Sequence, residues 1–367
     1  MRRFYIVFAV CLLRAPIAHA QRAMPSILTY RTEKVGEGIY AFITPEERSG
    51  FQAGNSIAII GDDGVLVFDT GNIPSATRRQ IAEIKKLTEK PVRYVVNSHW
   101  HPDHNLGNAE YALAFPNVTF IGTPATRTGI LERMPGYRSD MQSFAPTDSV
   151  MRVRLATGKM RDGSEMPPTI RTMWTILTND FKEFLPEVLS ARPLAPGFTF
   201  VDSLTVYLGK RAVRIINPGR ANTAGDAYVF VPDANVLLTG DLVTVPCPFP
   251  STSYFSEWIS TLDGLKAIQA STIVPGHGDV MHDDRYVDLV RELLVYTRQA
   301  ARDAVRRGVS LDSLQKTIDF KEFKKRFGGD DVVRVESMDN FYIQPAVQRA
   351  YEEAKFMSQG PVRTEKP

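Results

Sequence analysis

The segment SHWHPDHNLGN, residues 98–108, places three histidines and an aspartate within six positions. Histidine is scarce elsewhere, because the chain of 367 residues contains only six. The cluster follows a short apolar stretch at residues 94–96, which is typical of a buried strand. A fold that carries this segment must therefore gather several imidazoles and a carboxylate at the end of a strand.

The spacing within the cluster predicts ligands for a metal ion. In an extended segment His99 and His101 point to the same side, so both imidazoles can reach one ion. Asp103 and His104 lie on the next turn of chain and can face a second point nearby. Imidazole with carboxylate suits zinc, and less selectively iron or manganese. The alternative is a polar surface loop, which this local density of histidine disfavours.

Two further candidate ligands follow later strand-like stretches. Asp241 comes after residues 236–238 and His277 after residues 273–274, and glycine beside each lets the backbone approach a crowded site. Either residue alone would usually be structural. Sites in layered α/β folds collect at strand ends, so the two together extend the predicted metal site.

Strand-like and helical stretches alternate in two similar blocks, which predicts two packed sheets with helices outside. Strands are predicted at residues 57–60, 65–68, 94–96, 118–121, 204–208, 213–217, 228–231, 236–238 and 273–274. Helices are predicted at residues 75–90, with Ser75 as the cap, and at 257–270, 286–307, 310–327 and 346–356. Residues 125–200 are less regular and indicate an elaborated, lid-like connection, with a helix at 179–189 that Pro186 weakens.

The first 20 residues have the layout of a secretory signal peptide. Two arginines precede an apolar run at residues 4–13, and an Ala-His-Ala sequence offers a cleavage site before Gln21. The run is too short to span a bilayer. The alternatives are a buried or amphipathic N-terminal strand, and a lipid anchor at Cys11 that lacks the usual small residue before it. We therefore expect a periplasmic or secreted protein with no integral membrane segment after cleavage.

Cleavage would also change the charge and the cysteine content. It removes three arginines and leaves 41 basic and 41 acidic residues. This balance gives no support for a nucleic-acid or anionic-membrane partner and leaves a small-molecule substrate as the expected partner. Only Cys247 would remain, so no intrachain disulfide can form and the core or a metal must hold the protein together.

Five motifs resemble the metallo-β-lactamase superfamily in order and spacing. They are DTG at 69–71, HWHPDH at 99–104, GRANTAGD at 219–226, TGD at 239–241 and PGHG at 275–278. The resemblance covers roughly residues 35–285. It implies an α/β fold of the αβ/βα four-layer sandwich type, with one or two metal ions bound between the sheets.

The resemblance also implies a role for each matching residue. Two imidazoles would hold a first metal position, those of His99 and His101. A carboxylate and two imidazoles would hold a second position, those of Asp103, His104 and His277. Asp241 would bridge the two positions, and Asp69 would hold the ligand loops in place from behind.

The chain departs from the family pattern in its third motif. Family members usually carry histidine before the threonine of this segment, whereas this chain has Asn222 before Thr223. An amide oxygen is a neutral and weaker donor than imidazole toward zinc. We therefore expect one tightly bound zinc at the second position, and weaker or absent binding at the first.

The implied function is that of an exported zinc-dependent hydrolase. A metal-activated water would attack the carbonyl of a small ester, lactone, thioester or amide, with a β-lactam among the candidates. With a single metal bound, His99 or His101 would act as the general base, helped by Asp103. The same fold hosts many activities, so the family does not choose among these substrates.

Three residues near the motifs are candidates for substrate contact. Trp100 would stand in the pocket wall, although packing is the preferred explanation for it. Asn105 and Arg220 could offer polar contacts, and an arginine in such a place more often forms a structural salt bridge.

Two other classes of function remain open. One is a mononuclear iron oxidoreductase of the same fold, but relatives of that kind use the histidine that Asn222 replaces. The other is a non-catalytic metal-binding protein, against which the retained Asp103, Asp241 and His277 argue.

The expected organisation follows from these assignments. Residues 1–20 would be the signal peptide, residues 21–285 the catalytic domain with its insertion at 125–200, and residues 286–367 a helical C-terminal extension. The apolar stripes of the last helices predict packing against the body or against a partner subunit, so an oligomer formed through them remains open.

Overall fold

A computed structural model of the chain describes residues 28–46 and 53–358. The predicted signal peptide and its cleavage site lie outside the described residues. A seven-stranded sheet follows sequence order: β1 (Arg31–Gly36), β2 (Ile39–Ile43), β3 (Ser56–Ile60), β4 (Val65–Phe68), β5 (Val92–Val96), β6 (Thr119–Gly122) and β7 (Phe198–Thr199). A five-stranded sheet contains β8 (Ser203–Leu208), β9 (Arg211–Ile216), β10 (Tyr228–Val231), β11 (Val236–Leu238) and β12 (Thr272–Val274).

Strand direction places the loops that carry the predicted metal ligands at the ends of parallel strands. The first four strands pair antiparallel, and β4 to β7 then pair in parallel. In the second sheet β8 to β11 pair antiparallel, whereas β11 and β12 are parallel. Parallel neighbours end at the same edge of their sheet, so the segments after β4 and β5, and those after β11 and β12, begin side by side.

The two sheets pack face to face through an apolar layer. In β3, Ile57 and Ile59 point into this layer, where they join Val213 and Ile215 of β9. Ala58, between the two isoleucines, points to the opposite face of its sheet and joins the core beneath the outer helices. This alternation is the period-two pattern of a strand that is buried on both faces.

Helices cover the outer faces of both sheets, as the sequence predicts. The first sheet carries α1 (Pro74–Leu87), α2 (Asn108–Ala114), α3 (Pro124–Ser143), α4 (Ala145–Thr157) and α5 (Pro168–Ser190). The second carries α6 (Phe255–Ala267), α7 (Arg285–Arg306), α8 (Leu311–Thr317), α9 (Lys321–Gly328), α10 (Val332–Ser337), a π-helical segment (Met338–Ile343) and α11 (Gln344–Ser358). Residues from α6, α7 and α11 share one apolar core with the second sheet. The result is a four-layer αβ/βα sandwich with a helical C-terminal extension.

Several predicted helices are wrong in detail. The first helix begins at Pro74, so Ser75 lies inside its first turn, where the Ser75 N–H donates to the Glu187 carboxylate (2.9 Å). Proline is favoured at that position because its missing N–H needs no partner there. The helix predicted at 310–327 is two helices, α8 and α9, separated by Ile318–Phe320. β1 and β2 were not predicted. β1 has a polar and largely exposed sequence, whereas β2 (IYAFI) is a buried apolar run whose strand character was overlooked.

Residues 125–200 are more regular than the sequence indicates. Three helices, α3 to α5, occupy most of this stretch, and the helix predicted at 179–189 is the end of α5. Pro135 and Pro186 lie inside α3 and α5, so proline was a misleading signal for breaks here. Among the described residues, no helix combines the length and apolar character needed to cross a membrane.

Candidate metal centre

The predicted ligands lie on loops that begin where buried strands end. β5 ends at Val96, and the next residues carry His99 and His101 into a 3-10 turn (Pro102–His104). The second sheet contributes Asp241 from the 3-10 turn after β11 (Gly240–Leu242), and His277 follows β12. All six predicted ligands are buried, and His101 and Asp103 are the most accessible at 8% and 7% exposure.

The structure brings the ligands into two adjacent groups that share Asp241. The first metal position is lined by His99, His101 and Asp241. The second metal position is lined by Asp103, His104, Asp241 and His277. Within each group, one ligand atom from every residue lies within 4.8 Å of the others.

Distances at the second position show how closely the donor atoms converge. Asp103 Oδ2 lies 2.9 Å from His277 Nε2 and 3.2 Å from His104 Nε2. Asp241 Oδ1 lies 3.1 Å from His104 Nε2 and 3.4 Å from His277 Nε2. At the first position His99 Nε2 lies 2.8 Å from His101 Nδ1 and 3.5 Å from Asp241 Oδ2.

The donor set fits a metal ion. Asp103 Oδ2 and Asp241 Oδ1 are buried and have no hydrogen-bond partner, although imidazole nitrogens surround both. A buried carboxylate oxygen without a partner is unfavourable, and coordination of a divalent cation relieves that cost. Two carboxylates and two imidazoles at the second position form a donor set suited to zinc.

Electrostatics couple the same groups strongly. Burial would lower the pKa of His104, but Asp241, Asp103 and Asp69 outweigh burial and raise the pKa above its usual range. Burial opposes ionisation of Asp241, yet the neighbouring histidines, His104 first, hold its pKa below the usual range. At the first position burial lowers the pKa of His101 to about 3. The second position therefore concentrates negative charge and the first does not.

Asp69 supports the ligands from behind, in the place that the resemblance implies. Its carboxylate accepts hydrogen bonds from the Ser98 backbone N–H and hydroxyl, both at 2.7 Å, and lies 2.8 Å from His104 Nδ1. Ser98 Oγ in turn lies 2.9 Å from His99 Nδ1. Asp69 adopts a positive φ of 59°, which turns the chain sharply after β4. One buried carboxylate thus orients a histidine of each metal position.

Gly276, the residue before His277, lies so close to Asp241 that its position leaves no room for a side chain. A Cβ on Gly276 would lie 2.2 Å from Asp241 Oδ1, so a larger residue would displace the shared carboxylate. Asn55 holds the same loop from the other side. Its side-chain amide donates to the carbonyls of Pro275 (3.0 Å) and Gly278 (2.9 Å), and its backbone N–H donates to Gly276 O at 2.7 Å.

Asn222 is fully buried, and neither polar atom of its side chain has a hydrogen-bond partner. It lies on the loop after β9 that returns beside the histidine cluster, where the Ala227 N–H donates to Ser98 O at 2.7 Å. On the same loop, burial raises the pKa of Asp226 to about 6, and nearby His99 opposes that shift. An amide without partners at such a place fits a weak third donor for the first position.

The three candidate substrate contacts have structural partners. The Trp100 ring packs with Ile130 and Met134 of α3 and lies beneath the Arg133 guanidinium at 4.5 Å. Packing, the preferred explanation for Trp100, agrees with this position. Asn105 is fully buried and donates to His101 O at 2.6 Å.

Arg220 forms an ion pair with Glu257 and stacks over Tyr254 at 4.3 Å. Asn105 is enclosed under the histidine loop, where its Oδ1 has no hydrogen-bond partner among the described residues, and Arg220 is held at the surface by its own contacts. Substrate contact stays a prediction for both.

Three further residues lie around the centre. The sequence suggests residues 125–200 and 246–255 as pocket walls but does not single out Tyr137 or Phe249 within them, and it does not indicate Asn55. The Phe249 ring lies 6.2 Å from that of His101, in an edge-to-face arrangement, and 6.4 Å from that of Phe341 in the π-helical segment. Tyr137 of α3 is close enough for Asp103 to add to the effect of burial, and together they raise its pKa. Asn55 lies more than 200 residues from the loop that it holds. No local pattern reveals such contacts, since each joins segments far apart in sequence.

Comparison with known proteins gives one family and a common fold. The family model of the metallo-beta-lactamase superfamily matches residues 49–277. A linear primary-alkylsulfatase from Pseudomonas sp. (strain ATCC 19151) is 22% identical over 268 residues, covering 70% of this chain and 48% of that enzyme. The chain thus spans about half the length of this curated relative. A metallo-beta-lactamase from Pontibacter korlensis shares the fold with a TM-score of 0.51 at 17% identity, over 73% of this chain and 99% of that one.

Proposed function

The chain belongs to the metallo-β-lactamase superfamily, and on that premise we propose that it is an exported metal-dependent hydrolase. Its reaction would be attack of an activated water on the carbonyl of a small ester, lactone, thioester or amide, a β-lactam included. The observation that carries the proposal is the pair of buried donor groups that meet at Asp241. Structural zinc is typically held by one closed set of four ligands, so two adjacent positions that share a ligand fit water activation better.

The two metal positions would differ in affinity. The second offers two carboxylates and two imidazoles, whereas the first offers two imidazoles and its share of Asp241. The family pattern would add the neutral amide of Asn222 to the first position. Because an amide oxygen is a weaker donor than imidazole toward zinc, one ion would be held tightly and a second weakly or not at all. Zinc fits both donor sets best, and iron or manganese would also be accepted.

Bound zinc would supply a water of lowered pKa and would polarise the substrate carbonyl. The chain's own residues would move the protons around that water. With the first position empty, the imidazole of His99 would accept a proton from the water, because the ring would then be free of metal. His101 is the weaker candidate for this role, because burial lowers its pKa to about 3. Asp103, one of the two most accessible members of the cluster, would assist by orienting the water.

A sulfate ester is a second candidate substrate. The curated relative is a linear primary-alkylsulfatase. A sulfate ester has no carbonyl, so the activated water would attack its sulfur or its ester carbon and release an alcohol and inorganic sulfate. The two candidates are separated by the product, since only one of them releases inorganic sulfate.

Export rests on the first 20 residues, whose arginines, apolar run and Ala-His-Ala sequence have the layout of a signal peptide. Expression in a bacterium with a periplasm tests it. The protein recovered from the periplasm is expected to begin at Gln21, and a full-length chain retained in the cytoplasm would contradict export.

Two alternative functions are tested by identifying the bound metal and by measuring turnover of substrate. An iron oxidoreductase would hold oxygen-sensitive ferrous iron, whereas the proposed hydrolase holds colourless zinc. Asn222 counts against the iron enzyme, because it replaces the histidine that relatives of that kind use. A non-catalytic metal-binding protein would bind zinc and turn over no substrate.

The function is tested with the zinc-loaded chain on a panel of carboxylic esters, lactones, thioesters, β-lactams and alkyl sulfates. We expect zinc-dependent hydrolysis of at least one class, lost in Asp241→Asn because both metal positions lose a shared carboxylate. The matched control is Asp162→Asn, which changes an exposed carboxylate in the turn between α4 and α5, where it accepts from Ser164, and should retain activity. No turnover by any zinc-loaded preparation would reject a hydrolase.

A further inference from the structure

The last helix of the C-terminal extension caps a helix of the main body. The Glu353 carboxylate of α11 accepts hydrogen bonds from the backbone N–H groups of Phe255 (2.7 Å) and Ser256 (3.1 Å), the first two residues of α6. The preceding residue, Tyr254, provides no side-chain cap of its own. Glu353 therefore satisfies N–H groups that the start of a helix leaves open, and its negative charge lies at the positive end of that helix.

A second residue of α11 contacts the segment just before this helix. The Arg349 guanidinium donates to Ser253 O at 2.8 Å and lies 5.7 Å from the centre of the Tyr254 ring. Arg220 stacks on Tyr254 at 4.3 Å. Glu353 and Arg349 together thus fix residues 252–256 from the side of the C-terminal extension.

The segment that they fix holds the loop of Asn222. The Tyr254 N–H donates to Ala221 O at 2.8 Å, and the Thr252 hydroxyl donates to Asn222 O at 3.2 Å. These bonds hold the backbone on both sides of the Asn222 peptide unit. The Asn222 side chain itself makes no hydrogen bond, so its position is set by its backbone and by packing.

A weak neutral donor depends on placement more than a charged ligand does, because less electrostatic attraction draws it toward the ion. From these contacts we propose that Glu353 and Arg349 are positioning residues that fix Asn222 toward the first metal position. This inference rests on the proposed function, in which that position is the weaker of two. It assigns part of the C-terminal extension to the metal centre rather than to packing alone.

The test is a cobalt(II) titration of the full chain, followed by absorption and by competition with a chelator. The cobalt-binding step that is lost from the titration of His101→Ala is the one that belongs to the first metal position. Glu353→Ala is expected to weaken that step by about threefold or more, less than the loss of a direct partner of a ligand because Glu353 acts on Asn222 through residues 252–256, with second-position affinity within about twofold. Glu353→Gln keeps one acceptor oxygen and should recover part of the loss.

The control is Asp331→Ala. Asp331 caps α10 in the same extension by accepting from the N–H groups of Val333 and Arg334, and α10 is a different helix from the one that carries Glu353 and Arg349. It should lower stability without changing either metal step. Arg349→Met, which loses the bond to Ser253, provides a second variant if Glu353→Ala does not fold, and it should also weaken the first step.

Three outcomes would overturn the inference. They are an unchanged first step in Glu353→Ala and Arg349→Met, equal weakening of both steps, and a wild-type chain with no second metal step at millimolar cobalt. Failure of the proposed function is distinct from these, because it is a chain that binds both ions and hydrolyses nothing on the panel.

Discussion

Asn222 is the residue at which we expect this chain to depart from its family pattern, and its surroundings set it apart from an ordinary buried asparagine. Buried amides normally have hydrogen-bond partners, yet both polar atoms of this side chain have none among the described residues. In the proposed account a weakly held ion or the attacking water supplies the missing partner. The unusual residue is then part of the chemistry and not a sign of a lost site.

Asn222→His is expected to strengthen the first metal position by about tenfold or more, because imidazole is a better donor to zinc than an amide oxygen. Zinc affinity measured by chelator competition checks this. Unchanged stoichiometry and affinity would show that residue 222 does not point at the metal. Asn179→His, on the exposed face of α5, controls for adding a histidine anywhere on the chain.

At the scale of residues, the sequence predicts which donor groups come together but not the residues that support them. His99, His101, Asp103 and His104 fall within one short motif after a strand, so their convergence follows from local geometry. Asn55 and Phe249 reach the centre only through tertiary contacts, which no spacing encodes. The assignment of individual residues to metal ligation stays a prediction until a metal is measured.

At the scale of elements, the loop that carries His277 is held by a strand of the other sheet. Asn55 immediately precedes β3 and bonds both carbonyls that flank His277 in the PGHG motif, while its own oxygen accepts from the Thr44 N–H at 3.0 Å. The metal centre therefore depends on how the two sheets are placed relative to one another as well as on its own loops.

Asn55→Ala is expected to destabilise the metal-free protein by about 1–3 kcal/mol, because buried carbonyls and an N–H lose their partner. Second-position zinc affinity should fall with it, since His277 is no longer held. Urea unfolding and zinc competition measure the two effects, with Asn179→Ala as the exposed control. Normal stability and affinity in Asn55→Ala would show that the loop is fixed by other contacts.

The helices of residues 124–190 show why the sequence underestimated their order. Prolines at the first turn and within α3 and α5 resemble breaks when the sequence is read locally, but packing sustains both helices across them. Phe184 and Val188 of α5 are fully buried in a cluster with Ile73, at the start of α1. This stretch is a packed layer beside the centre.

Phe184→Ala should lower the free energy of unfolding by about 3–5 kcal/mol, the usual cost of deleting a buried aromatic ring. Phe198→Ala removes a ring that is 49% exposed and should change stability by less than about 0.5 kcal/mol. Denaturant unfolding compares the pair. A small effect of Phe184→Ala would mean that α5 is a mobile cover and not part of the core.

For the whole molecule, the two packed sheets were predictable because periodicity and strand-end motifs agree on them, although β1, β2 and most of α3 to α5 were not predicted. The family is identified by the motifs and by the family model that matches residues 49–277. Substrate, export and oligomeric state do not follow from the fold, since they depend on pocket walls, on residues outside the described range, and on surfaces whose partners no internal contact reveals.

The central claim is that one molecule carries two metal positions of unequal strength. It is tested most directly by elemental analysis of the purified protein during stepwise removal of metal with a chelator. We predict one zinc per chain that resists removal, with any second ion lost at much lower chelator concentration. Two zinc ions that leave together would contradict the claim, because Asn222 or another residue would then complete the first position as well as the carboxylates complete the second.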